Sequence, residues 1–117
     1  MSDDVDELTL MVALFPDDTG LPMVVWASPS YGVGHDIRIK VMQAHGDRMD
    51  PNNLAVVALR PHSRVRHGHL AKDDLDAVTA WWLLNREPLL DYWRQSPPLP
   101  TGQFMRRLQK LDPPISP

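Results

Sequence analysis

The candidate strand segments in the first 69 residues are short and lie close together, which restricts how they can be connected. They occupy residues 8–15, 23–27, 35–43, 54–59 and 64–69, and the intervening stretches are rich in Gly, Pro, Asn, Asp and Ser. A parallel pair of strands needs a crossover connection of about a dozen or more residues. The spacing therefore predicts an antiparallel meander of four or five strands over residues 8–69.

The clearest strand pattern lies at residues 35–43, where apolar and polar residues alternate. Ile37, Ile39 and Val41 share one face, and Asp36, Arg38, Lys40 and Met42 share the other. Residues 54–59 are continuously apolar, which predicts a strand covered on both faces. Residues 16–22 predict the turn of a hairpin, with Gly20 at positive φ.

The hydrophobic period changes to that of a helix at residues 72–95. Asp73 is the predicted N-cap, and acidic residues in the first turn favour the helix dipole. Asn85 and Pro88 interrupt the pattern, which predicts a kinked or broken helix with Asn85 capping a second segment. The apolar stripe consists of Leu75, Val78, Trp82, Leu89 and Trp93.

The remaining segments complete an α+β fold in a single domain over residues 1–117. Residues 96–100 form a proline-rich connector, and residues 101–111 predict a short terminal helix with Phe104, Leu108 and Leu111 on its apolar side. The acidic residues 1–7 and the proline-rich tail are expected to be disordered.

Composition excludes several classes of protein. The chain has no cysteine, which excludes disulfides and thiol chemistry and fits a reducing compartment. Its acidic start is the opposite of a secretory signal, and its apolar runs are far shorter than the roughly 20 residues that span a bilayer. We therefore expect a cytoplasmic protein with no membrane association.

The most distinctive local composition is a basic stretch in the sheet region. Residues 60–72 contain several Arg, Lys and His residues and no acid. One interpretation is a surface that binds phosphate or nucleic acid, and the other is a solvated edge that prevents aggregation. The candidate binding residues are Arg38, Lys40, Arg60, Arg64, Arg66, His67 and His69.

The histidines raise the question of a metal site or of acid–base catalysis. All five lie in the sheet region, and His35, His62, His67 and His69 could supply nitrogen ligands of the zinc type. The sequence offers no carboxylate at obvious ligand spacing, and no pattern in it pairs a histidine with a carboxylate or a nucleophile for catalysis. We therefore expect neither a metal nor a cofactor.

The aromatic residues suggest self-association. Trp82 and Trp93 lie on the helical core stripe, whereas Trp81 lies about 100° away, at the rim of the core or in a partner contact. The apolar strands at residues 24–26 and 55–59 leave one sheet face short of cover. Pairing with a second copy would cover it, so a dimer is expected.

The C-terminal half resembles a group of small uncharacterised bacterial proteins of unknown function, some of them encoded in toxin–antitoxin-like gene pairs. The resemblance rests on Gly68-His69-Leu70, Asp74-Leu75, Val78, Trp82, Asn85-Arg86-Glu87, Leu89-Leu90 and Tyr92-Trp93. Residues 35–48 and 55–60 also resemble proteobacterial proteins of similar length. The Pro-Pro-His-x-His element of the toxin–antitoxin-like group is missing here, so the resemblance carries over no catalytic residue.

These patterns favour a small bacterial binding or interaction module over an enzyme. Its basic sheet face would recognise an anionic partner, either nucleic acid or the acidic surface of a cognate protein. The alternative is a nuclease-like or metal-dependent enzyme that uses the His and Arg cluster at residues 60–69 to stabilise phosphate charge.

Overall fold

A computed structural model describes residues 11–30 and 34–115 and shows an α+β fold. Within these residues, a five-stranded sheet in the order β1-β2-β3-β4-β5 pairs every neighbour antiparallel, so the predicted meander is confirmed. The predicted disorder at residues 1–7 lies outside the described residues. The strands are β1 (Val12–Leu14), β2 (Val25–Ala27), β3 (Arg38–Met42), β4 (Leu54–Ala58) and β5 (Arg64–His67). The helices are α1 (Pro16–Thr19), α2 (Lys72–Leu84), α3 (Arg86–Arg94) and α4 (Thr101–Arg107).

Paired residues of neighbouring strands project to the same side of the sheet, and one side is almost entirely buried. Leu14, Val25, Val41 and Ala55 form one continuous cross-strand row on this face, and each is 0% exposed. The period-2 pattern of β3 therefore predicted its buried face correctly. Met42 lies on the face with Arg38 and Lys40, as predicted, but it is 1% exposed there, which the polar character of that face did not predict. It is buried under the following loop, where the Asp50 N–H donates to its Sδ at 3.3 Å.

The connection between β1 and β2 is a short helix rather than a simple turn. The Asp18 carboxylate accepts a hydrogen bond from the Phe15 N–H at 2.9 Å at the start of α1. Gly20 ends α1 with φ of 78°, as predicted. A Cβ at this position would also lie 2.8 Å from the Leu111 carbonyl oxygen, so the C-terminal segment requires glycine here.

The helical region is divided at Asn85 into α2 and α3. The N-cap of α2 is Ala71, so the assignment of Asp73 as N-cap was wrong. Asp73 instead lies in the first turn, where its negative charge interacts favourably with the positive end of the helix dipole. Asn85 occupies the N-cap position of α3, as predicted, but it makes no side-chain cap, because its Oδ1 accepts a hydrogen bond from the Gln109 N–H at 2.6 Å.

Two expectations about apolar cover were wrong. Trp81 is 0% exposed and lies in the core rather than at its rim. On the sheet face opposite the row of Val41 and Ala55, Trp26 and Ala58 are 3% and 5% exposed and Val56 is half-buried, so most of the apolar surface that was expected to lack cover is buried within the single chain. The argument for a dimer based on an uncovered sheet face therefore fails.

The C-terminal elements pack on the same core. Phe104 in α4 is fully buried and stacks on Tyr92 of α3 with ring centroids 4.1 Å apart. The helix ends at Arg107, earlier than predicted, yet Leu108 and Leu111 still pack against the core. Across the described residues, every helix is too short or too polar to cross a bilayer.

Candidate anion-binding face

Strand register brings four of the seven predicted binding residues onto one face of the sheet. Arg38, Ala58 and Arg64 form one cross-strand row, and Lys40, Val56 and His67 form the next. Paired residues project to the same side, opposite to the row of Leu14 and Val25. We call the surface formed by Arg38, Lys40, Arg64 and His67 the basic face.

The spacing of the basic face follows from sheet geometry. Arg38 and Arg64 lie on strands separated by β4, so their Cα atoms are about 10 Å apart at the usual strand spacing. The two rows are separated by two residues, or about 7 Å. Small or apolar Ala58 and Val56 occupy the centre of the face, so the positive charges surround a neutral strip.

A β-bulge places Arg66 beside this face. Val57 pairs with Val65 and Val56 pairs with His67, so Arg66 is the extra residue of β5. Both Arg66 and His67 are exposed. Within the described part of the chain, the Arg66 side chain makes no hydrogen bond or ion pair, and neither does that of Arg38. These cations are therefore open to an external anion.

Arg60 is not open in this way, although the sequence grouped it with the binding residues. Its guanidinium donates to both carboxylate oxygens of Asp36, with Nε at 3.0 Å from Oδ2. This pair holds the pKa of Asp36 below its usual value and raises the pKa of Arg60. Arg60 therefore already has an anionic partner.

Arg64 is oriented by neutral acceptors. Its Nη1 donates to the carbonyl oxygens of Arg60 at 3.0 Å and His62 at 3.2 Å. Carbonyl groups fix the direction of the guanidinium but do not neutralise its charge. The arginine is held in place at the sheet edge and can still attract an anion.

His69 leaves the sheet after Gly68 and does not belong to the basic face. Its backbone N–H donates to the Gln43 side chain, whose Nε2 in turn donates to Asn53 Oδ1 at 2.7 Å. Gly68 has φ of 78°, and a Cβ there would lie 2.7 Å from the Leu54 carbonyl oxygen. This crowded backbone turns the chain away from β4.

The histidines do not form the zinc-type site that was weighed for them. Among residues 11–30 and 34–115, no three His, Cys, Asp or Glu side chains lie close enough to hold a metal ion. One histidine does pair with a carboxylate, which the sequence did not indicate. His45 Nε2 lies 2.9 Å from Asp74 Oδ1, a contact between residues 29 positions apart.

A surface hollow of about 340 Å³ lies apart from the basic face. Its polar lining includes the carboxylates of Asp17 and Asp47, and Leu21 and Ile115 supply apolar surface. None of the predicted binding residues lines it.

Comparisons of the chain with protein-family models, with curated proteins and with solved structures found no match. The resemblance to small bacterial proteins from toxin–antitoxin-like gene pairs therefore stays a prediction. The geometry of the face itself is the basis for any functional conclusion.

Proposed function

We propose that the protein is a binding module that recognises an anionic partner through its basic face. The observation that carries this proposal is the strand register. It aligns Arg38 with Arg64 and Lys40 with His67, although these residues lie far apart in the sequence. Four basic side chains therefore lie on one surface, although the chain as a whole carries a net negative charge.

The distribution of charge supports the same proposal. Residues 37–46 and 54–72 contain no Asp or Glu, whereas the whole chain has a formal net charge of −3. The acids therefore lie outside β3, β4 and β5, and Asp36, two residues before β3, is paired with Arg60. A charge separation of this kind steers an anionic partner toward one side of a protein.

Removing two unpaired cations tests the proposal. The test variant combines Arg38→Gln with Arg66→Gln, and the matched control combines Arg106→Gln with Lys110→Gln on the exposed side of the C-terminal region. Retention on immobilised heparin is measured over a range of salt concentrations, after circular dichroism has shown that both variants fold. We expect the test variant to elute at clearly lower salt and the control to elute with the parent protein.

Two outcomes would overturn the proposal. Equal losses in both variants would mean that heparin senses net charge alone. Absence of salt-dependent retention of the parent protein on heparin, on a single-stranded RNA and on polyglutamate would remove the basis for an anion-binding face.

The enzymatic alternative is tested in the same series. A nuclease-like or metal-dependent enzyme built on residues 60–69 would cleave the RNA probe, with or without added divalent metal, and His67→Gln would reduce the rate. An intact probe after prolonged incubation with the parent protein counts against this alternative.

Self-association and a cytoplasmic location complete the proposal. Leu83 and Leu84 are 59% and 41% exposed at the end of α2, which provides apolar surface for a second copy. Sedimentation analysis of the parent and of Leu83→Ser with Leu84→Ser should show a dimer that the variant loses. A parent protein that stays monomeric at high concentration would contradict this part. The lack of cysteine supports the cytoplasmic location.

A further inference from the structure

The outer edge of β5 is a second feature of this part of the sheet, in addition to the side chains of the basic face. β5 is the last strand in the order of the described sheet, and it pairs with β4 on one side. Along its four residues, Arg66 and His67 are exposed and Arg64 and Val65 are half-buried. Such an edge presents backbone N–H and C=O groups that another extended chain can pair with.

The charge of this edge argues against a second copy of the same strand. An antiparallel β5–β5 pair would bring Arg64 and Arg66 of one copy close to Arg66 and Arg64 of the other. Like charges facing each other across a strand pair are destabilising. The arginines and the bulge therefore oppose self-pairing, and they favour a strand of opposite charge.

The features of the face also favour a protein segment over a nucleic acid. Single-stranded nucleic acids are usually held by exposed aromatic rings on which the bases stack. In the described strands, the aromatic residue on this side of the sheet is Trp26, which pairs with Lys40 and is only 3% exposed. The net charge of −3 is also far from the strongly basic footprint of nucleic-acid-binding domains.

We infer that β5 binds an extended acidic segment of a partner protein as an added strand. The inference rests on the proposed anion-binding function and specifies the partner. Backbone hydrogen bonds to the β5 edge supply affinity, and alternate carboxylates of the segment meet Arg64 and the pair formed by Arg66 and His67. Alternate residues of an extended chain are about 7 Å apart, which matches the separation of Arg64 and Arg66 along β5, and each carboxylate would lie about 5 Å across the strand pair from its partner.

The experiment uses a peptide of alternating glutamate and valine about seven residues long, a typical strand length. One control peptide carries N-methyl groups on alternate residues, which removes backbone donors and keeps the charge. A second control replaces every glutamate with glutamine. Binding is measured by fluorescence anisotropy, and the β5 amide signals are followed by NMR.

We expect the parent peptide to bind and both control peptides to bind at least tenfold more weakly. Amide shifts should concentrate on β5, and Arg66→Gln should weaken binding of the parent peptide more than Arg106→Gln does. Equal binding of the parent and N-methylated peptides would overturn strand addition.

Other results separate this inference from the proposed function. Tight binding of heparin or RNA with no binding of the peptide would overturn the acidic-strand inference and leave the anion-binding function standing. No binding of heparin, RNA or any peptide would overturn both.

Discussion

The side-chain amide of Asn85 pairs with both backbone groups of Gln109. Asn85 Nδ2 donates to the Gln109 carbonyl at 2.9 Å, and Asn85 Oδ1 accepts from the Gln109 N–H at 2.6 Å. Asn85 is 1% exposed, and the same Nδ2 also donates to the Trp81 carbonyl at 3.0 Å. One buried side chain thus joins the boundary between α2 and α3 to the C-terminal segment.

Asn85→Ala should destabilise the protein strongly. The substitution removes these hydrogen bonds and leaves partly buried backbone groups without partners, so we expect a loss of about 2 to 4 kcal/mol in the free energy of unfolding. Urea denaturation followed by circular dichroism measures it.

Gln109→Ala is the matched control, because Asn85 contacts only the backbone of Gln109 and the Gln109 side chain is exposed. We expect this variant to stay within about 0.5 kcal/mol of the parent. A comparable loss in both variants would show that the Asn85–Gln109 pairing is not what stabilises this junction.

Gly68→Ala, just after β5, should destabilise the protein by more than the cost of a positive φ alone. Gly68 has φ of 78°, and an added Cβ would lie 2.7 Å from Leu54 O and 2.8 Å from Ala55 Cα. Gly46 has φ of 102°, and a Cβ added there would have nothing within 4 Å. Gly46→Ala therefore measures the cost of a positive φ without a steric clash.

We expect Gly46→Ala to lower the free energy of unfolding by about 1 to 2 kcal/mol and Gly68→Ala to lower it further. Chemical denaturation of the two variants side by side gives the difference. If Gly68→Ala were no more destabilising than Gly46→Ala, the close approach of β4 to Gly68 would not matter to stability.

Trp81→Ala should be among the most damaging core substitutions. Trp81 is 0% exposed, and truncation of a buried tryptophan costs about 3 to 5 kcal/mol. Its Nε1–H has no hydrogen-bond partner in the described structure, so Trp81→Phe should cost much less than Trp81→Ala.

Met49→Ala provides the surface control, since Met49 is 52% exposed and lies outside the apolar surface of Leu83 and Leu84. Its thermal unfolding should stay close to that of the parent, with a change within about 0.5 kcal/mol. A loss for Trp81→Ala as small as that for Met49→Ala would contradict the burial of Trp81 in the core.

The ion pair between Asp36 and Arg60 should make a small, pH-dependent contribution to stability. The pKa of Asp36 is lowered in the folded state, first by the hydrogen bond from Arg60. The contribution is therefore present above the unfolded pKa of about 3.9 and is lost as pH falls through the lower folded pKa. Both side chains are partly exposed, so we expect no more than about 1 kcal/mol at neutral pH.

NMR titration of the Asp36 carboxyl measures this effect directly. Its pKa should lie below 3.8 in the parent and should rise in Arg60→Gln. The stability difference between the parent and Asp36→Asn should shrink as pH falls through that pKa. An Asp36 pKa that does not change in Arg60→Gln would contradict the pairing.

Local sequence patterns predicted the elements of the fold because periodicity reports on each segment by itself. Alternation in β3 identified Ile39 and Val41 as buried, and the short connections identified the antiparallel order. The same reasoning failed at Met42 and Trp81. Their burial depends on which loop or helix covers them, and no local pattern contains that information.

From the sequence, the candidate site could be predicted only as a group of basic residues, without their arrangement. The basic residues of β3 and β5 were found from the sequence, yet their sequence neighbours could not show which of them are free. Arg60 is paired with Asp36, 24 positions away, and His45 with Asp74, 29 positions away. Partners at such separations are selected by the packing of whole elements.

Periodicity and composition were enough to predict the α+β class, the faces of β3 and the presence of a basic stretch. Which cations share a surface depends on the folded sheet, because strand register aligns Arg38 with Arg64 and Lys40 with His67. Register depends on hydrogen bonds between distant segments and on a bulge at Arg66, and these arise only when the strands pair.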